Sequence, residues 1–381
     1  MTRSWRAPLG LAALGIAFIA TSCSRTEIQR SDTDSYASFS RFTDPGEQSG
    51  LLDTIPDDPL AIAAVAKNLT VHHNLLAYFD VPKNRWSEIK SVWPPRVPDI
   101  LAALSETGPR DLIDDRRIEQ RIRGACMMES HLLAGMLRHK KIPVRLRAGY
   151  FRDVYTKEDH LVAFWEKNAR EKGVAKELLQ EDPEQWRQVN HDYTRQQVEV
   201  NKCVEHWVAE YWNDAQRRWQ LLDANNTFLK AMSDIDVGFN LPRRHFEYAF
   251  ESWKKMRNID DFNPDQYAEW PQDGRSHIRS QLLWDFYSLL NHDIAGYDKT
   301  KWSPQDSISA EHRVYRFVKE RTFEKLTAQE IDELDSLAEL LSHDPTIDQL
   351  VDFYRKSTSL QIATIDTDPY SFPPKRLEGA P

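Results

Sequence analysis

Apolar residues recur at helical spacing from Leu60 to Arg123, as in Leu60-Ala61-Ile62-Ala63-Ala64-Val65-Ala66 and Leu101-Ala102-Ala103-Leu104, with breaks at Pro82, Pro94-Pro95 and Pro98. This pattern predicts a helical N-terminal layer. A nearly all-apolar run from Met127 to Leu137 follows, predicting a helix with Cys126 at its first turn. Val204-Glu205-His206-Trp207-Val208-Ala209-Glu210-Tyr211-Trp212 has the β-branched and aromatic content of a strand; Asn213-Asp214 begins a turn, and Trp219-Gln220-Leu221-Leu222-Asp223 reads as the hairpin partner. Beyond Asp223 helical spacing returns, with a dense aromatic set that includes Phe246, Trp253, Tyr267, Trp270 and Trp284. Together these elements predict an α+β fold with helical N- and C-terminal extensions.

The hairpin register carries chemistry. Residues opposite one another share a face, so His206 and Asp223 do so only if opposing residue numbers sum to an odd value. Trp212 opposite Trp219 meets that condition. His206 and Asp223 then stand diagonally, about 7–8 Å apart between backbones and within reach of each other's side chains. Cys126, at a helix N-terminus, meets partial positive charge that favours a thiolate. Thiol, imidazole and carboxylate are the parts of a cysteine nucleophile with its base and orienting group.

The first residues change the expected address. Arg3 and Arg6 precede an apolar run from Leu9 to Ala20 and the small residues Ala20-Thr21-Ser22 before Cys23, a secretory signal too short to span a membrane. The expected boundaries are a signal segment over 1–22, a flexible tether over 23–55, a helical layer over 56–117, a core over 118–235 with an insertion at 151–197, a helical extension over 236–365 and a tail over 366–381. Residues 24–50 are polar and cannot bury enough surface to fold alone. The insertion, with Leu161-Val162-Ala163-Phe164-Trp165 and a charged helical stretch through Trp186, reads as a surface elaboration or a lid over the thiol.

Charge and cysteine count narrow the classes further. Net charge is −9, and removing residues 1–22 deletes Arg3 and Arg6 and no acid, giving −11. A nucleic-acid partner is not expected. With Cys126 read as a nucleophile and Cys23 at the end of the signal segment, Cys203 has no obvious disulfide partner; it falls on the opposite strand face from His206 and is expected to pack in the core. His160 and His191 lack paired spacing, and His72 and His73 are expected to point apart on a helix, so no metal site or cofactor is anticipated. Gln120, six residues before Cys126, reads as a solvated helix residue.

Gly124-Ala125-Cys126 with its helix, Lys141-Ile142-Pro143-Val144-Arg145, Glu205-His206-Trp207-Val208, and Trp219 with Leu222-Asp223 resemble the transglutaminase-like superfamily. That resemblance covers about a quarter of the chain and implies a papain-like core, in which the helix bearing Cys126 packs on an antiparallel sheet, with Cys126, His206 and Asp223 as catalytic triad. Ala224 departs from the proline that many members carry after the Asp, and the long insertion is a second departure. The segment before Cys23 resembles a bacterial lipobox, implying lipidation of Cys23 and a membrane anchor; Ser24 resembles the outer-membrane sorting signal of Gram-negative lipoproteins. Segments Gln281–Asp293 and Asp332–Tyr354 resemble the C-terminal helical extension of a group of bacterial transglutaminase-domain proteins.

The implied activity is cleavage or transfer of peptide or isopeptide amides through a thioester, with hydrolysis favoured. Peptides or proteins, cell-wall peptides among them, are the expected substrates. The alternative is a non-catalytic, peptide-binding or scaffolding lipoprotein on the same fold.

Overall fold

A computed structural model describes residues 32–155, 158–159, 161–164, 167, 183–233, 235–269, 272–293, 318, 322–362, 365 and 370–372. Asp58 accepts from the Ala61 N–H at 2.9 Å and Pro59 takes the first helical position, where its missing N–H costs nothing, so α1 (Pro59–Leu69) starts there. Thr70 ends it. The chain leaves as β1 (Thr70–His72), parallel to β2 (Ile122–Gly124), with His72 opposite Gly124. Between them lies α2 (Val97–Thr107). Ala125 then caps α3 (Cys126–His139) with no side chain able to accept from its first N–H groups, while Arg138 and His139 complement its C-terminal end.

β3 (Val144–Phe151), β4 (Val204–Asn213), β5 (Arg218–Leu222) and β6 (Phe246–Tyr248) form a sheet in the order β5-β4-β3-β6, every neighbouring pair antiparallel. The fold is α+β, with α3 packed against β4 and β3. α4 (Pro183–Glu199) precedes β4; α5 (Asn226–Ser233), α6 (Ala249–Asn258), α7 (Gly274–Leu289), α8 (Ala328–Leu341) and α9 (Ile347–Lys356) follow β5.

Side-chain alternation divides the core. Leu146, Ala148, Tyr150, Trp207, Ala209 and Leu222 join α1, α3 and α7 in the larger cluster. Phe151, Val208, Leu221 and Phe246 face the other way, into a second cluster with Phe228 and Leu229 of α5. Every residue of β3 is consequently buried, Arg145 and Arg147 included. Arg147 grips Asp285 of α7 through two 2.8 Å bonds, and Glu210 accepts from Arg145 (2.5 Å) and Arg147 (3.1 Å). The paired charges answer the desolvation that burial imposes.

Two expected boundaries are corrected. Residues 32–55 are no tether: Tyr36, Phe42, Leu52 and Ile55 are buried, the Val144 N–H donates to the Tyr36 carbonyl, and the Val97 N–H donates to the Phe42 carbonyl. Tyr36, Leu52 and Ile55 are part of the main core cluster, which the rest of the chain largely builds. Gly135 of α3 permits this, since a Cβ there would lie 2.9 Å from the Thr43 carbonyl oxygen. The sheet also does not end before 236. β6 comes from the stretch expected to be a helical extension, because Phe246-Glu247-Tyr248 is too short to show alternation in sequence.

Candidate active site

The hairpin adopts the anticipated register, Trp212 opposite Trp219 and Ala209 opposite Leu222. Asp223 is the first residue beyond β5, and its N–H donates to the Phe239 carbonyl at 2.9 Å. Its Oδ1 accepts from the Asn225 N–H at 2.8 Å, fixing the turn into α5. The other oxygen, Oδ2, lies 3.3 Å from His206 Nε2. His206 is 1 % exposed and Asp223 2 %, so the pair sits where water screens little. Because Nε2 faces the carboxylate, Nδ1 is the ring nitrogen left for another partner.

α3 reaches the same end of the sheet. Ser130 donates to the Trp207 carbonyl at 2.9 Å, tying the second turn of the helix to the residue after His206. Glu129, one turn from Cys126, is buried; burial, helped by the negative charge of Asp223, pushes its carboxyl well above the usual range against an opposing bond from the Thr70 hydroxyl. Lys67 of α1 donates to Asn226 Oδ1 at 2.6 Å, and its ammonium is shifted down by burial while Asp223 opposes that shift. The structure thus brings the first turns of α3 to the end of the hairpin that carries His206 and Asp223. Cys126 itself begins the helix, buried and not in a disulfide.

Phe151 covers His206: the rings stack with centroids 3.7 Å apart and planes 18° from parallel. Neither Phe151 nor Glu129 was anticipated. The signal for Glu129 was present, a single acid in an apolar helical run three residues after Cys126; for Phe151 it was absent, because the contact is made across strands.

Other candidates fall elsewhere. His72 and His73 do not point apart on a helix: β1 holds His72, its Nδ1 accepts from the Asn74 N–H at 3.2 Å, and the two rings stack at 4.5 Å. β-branched Thr70 and Val71 end the helix before them. Gln120 lies in a short 3-10 turn, not an α-helix, where its Oε1 accepts from the Arg117 N–H. Cys203 is buried just before β4; burial pushes its thiol up to about 12, with Glu247 adding to the shift. His191 lies on α4, 3.9 Å from Glu158. Among the described residues no group of three or more His, Cys, Asp or Glu side chains is placed to hold a metal ion, and no helix is long and apolar enough to cross a membrane. Cys23, Ser24 and His160 lie outside the described residues.

Comparison with protein-family models, with curated proteins and with solved structures found no match.

Proposed function

We propose that this chain is a cell-envelope lipoprotein whose transglutaminase-like, papain-type site of Cys126, His206 and Asp223 cleaves or transfers amide acyl groups through a thioester. The observation that carries the reading is the buried His206–Asp223 pair at 3.3 Å, next to the Trp207 carbonyl to which Ser130, in the second turn of the Cys126 helix, donates. Oriented through Nε2, His206 takes the thiol proton at Nδ1, and Asp223 stabilises the imidazolium. The thiolate attacks an amide carbonyl; N–H groups at the start of α3, which Ala125 cannot cap through its side chain, donate to the oxyanion. His206 returns the proton to the departing amine as the C–N bond breaks, leaving a thioester. Water then gives the acid, or a second amine gives a new amide.

Hydrolysis is the favoured outcome, since water is abundant and no amine-binding site is evident. Substrate class follows from the expected address: cell-wall peptides or envelope proteins, reached from a membrane anchor at Cys23. The test is a thiol-directed activity probe with mass readout on a peptide library. Labelling at Cys126 that Cys126→Ala and His206→Ala both abolish supports the site, and product mass separates hydrolysis from transamidation. A folded protein that neither labels nor turns over any amide would instead be a peptide-binding scaffold.

A further inference from the structure

Gly149 stands directly opposite His206 in the β3–β4 ladder, and Phe151, two residues on, is opposite Val204. Side chains at i and i+2 share a face, so Gly149 leaves the space beside the imidazole open and the diagonal Phe151 ring leans into it. The space cannot be filled from Gly149 itself: a Cβ there would lie 2.2 Å from the Glu247 carbonyl oxygen and 2.8 Å from Phe246. The result is the 3.7 Å, nearly parallel stack of Phe151 on His206.

Resting on the triad reading above, we propose that Phe151 is a positioning residue: its ring fixes the imidazole plane and stabilises the imidazolium formed when His206 takes the proton of Cys126. The face of an aromatic ring is negative and attracts a cation held over it. Two effects compete. Covering the imidazole removes water and disfavours its charged form, whereas the ring face favours it. Leucine in the same place would keep the first effect and lose the second. The same face of the sheet also carries Val208, Leu221 and Phe246 and, by the same register, Arg145, Arg147, Glu210 and Tyr248, which are paired with one another and with Asp285 and Asp344. Arg152, next in the chain, turns to Glu247 at 3.4 Å. Asp223 acts on the Nε2 edge, with Glu129 of α3 and Lys67 of α1 behind it. Phe151 is the group stacked on the ring face.

The experiment is the rate of Cys126 alkylation by iodoacetamide against pH, read by peptide mass, in the full-length protein. Three variants accompany wild type: Phe151→Leu, pentafluorophenylalanine incorporated at position 151, and His206→Ala. Fluorination keeps the shape of the ring while removing its negative face, so it covers the case in which Phe151→Leu fails to fold. In both position-151 variants the midpoint of the curve should move up by about one pH unit, with the fluorinated protein melting like wild type. A curve that depends on His206 but is unchanged by both substitutions would overturn the role of Phe151 alone. One that His206→Ala leaves unchanged overturns the triad reading and this inference with it.

Discussion

His206 and Asp223 meet through Nε2 and Oδ2 at 3.3 Å, while Oδ1 of the same carboxylate is committed to the Asn225 N–H at 2.8 Å. Asp223 therefore has two roles that a single deletion would confuse. One oxygen shapes the turn into α5, and the other faces the imidazole.

Asp223→Asn separates them. The amide keeps an oxygen for the Asn225 N–H but loses the charge that favours imidazolium. Turnover should fall by about 10²–10⁴-fold while the fold survives. Asp223→Ala also strands the buried Asn225 N–H and should cost about 1–3 kcal/mol of stability in addition. Kinetics and thermal melts on the same preparations check both, and a destabilised but fully active Asp223→Asn protein would remove Asp223 from the triad.

The two described cysteines should respond oppositely to alkylation. Cys203 is buried, and its thiol is pushed up to about 12 by that burial and by Glu247, so near neutral pH it stays protonated and inert. Cys126, at a helix N-terminus and paired with His206 in the proposed triad, should react with a midpoint below the about 8.5 of a free cysteine. Peptide mapping after brief iodoacetamide treatment should find the label on Cys126 and none on Cys203 until the protein is unfolded. Equal labelling of the two would remove the case for an activated thiol.

Much of this site was legible because its logic is local. A thiol preceding an apolar run marks a helix start, and period-2 alternation with a two-tryptophan pairing fixes the hairpin register. What escaped was set by distant partners. Tyr36 and Phe42 lie in a polar stretch with no periodicity, and their burial rests on distant partners: Tyr36 packs on Trp219 and Phe372 and donates to the Leu289 carbonyl, and Phe42 stacks on His131 of α3. β6 is three residues long, and the Phe151 stack depends on Gly149 lying opposite His206. No residue spacing announces such meetings across strands.

Lipidation of Cys23 is expected from the apolar run and small residues before it. Expressed in a bacterial host, the wild-type protein should partition into detergent and Cys23→Ala into the aqueous phase. A wild-type protein that stays aqueous would end the anchored reading and leave the triad untouched.

The buried charges of β3 and β4 predict how the fold responds to acid. Burial alone would raise the Glu210 carboxyl, yet Arg145 and Arg147 overcome it, with help from the Tyr248 hydroxyl, and hold it down to about 2. A carboxylate depressed in the folded state binds its proton more readily when unfolded, so its contribution is complete above the ordinary value of 4.5 and is lost as pH falls from there through about 2. Glu210→Gln leaves two buried guanidinium groups without their shared anion, although Asp285 still holds Arg147 and Asp344 still holds Arg145. The variant should be less stable near neutral pH by about 3–5 kcal/mol, the usual cost of breaking a buried pair from one side. Urea unfolding of both proteins across the acid range should show that gap closing between pH 4.5 and 2. A gap that stays constant over the whole window would mean that Glu210 is not an ionised partner of the two arginines, and that its side chain stabilises the sheet by packing alone.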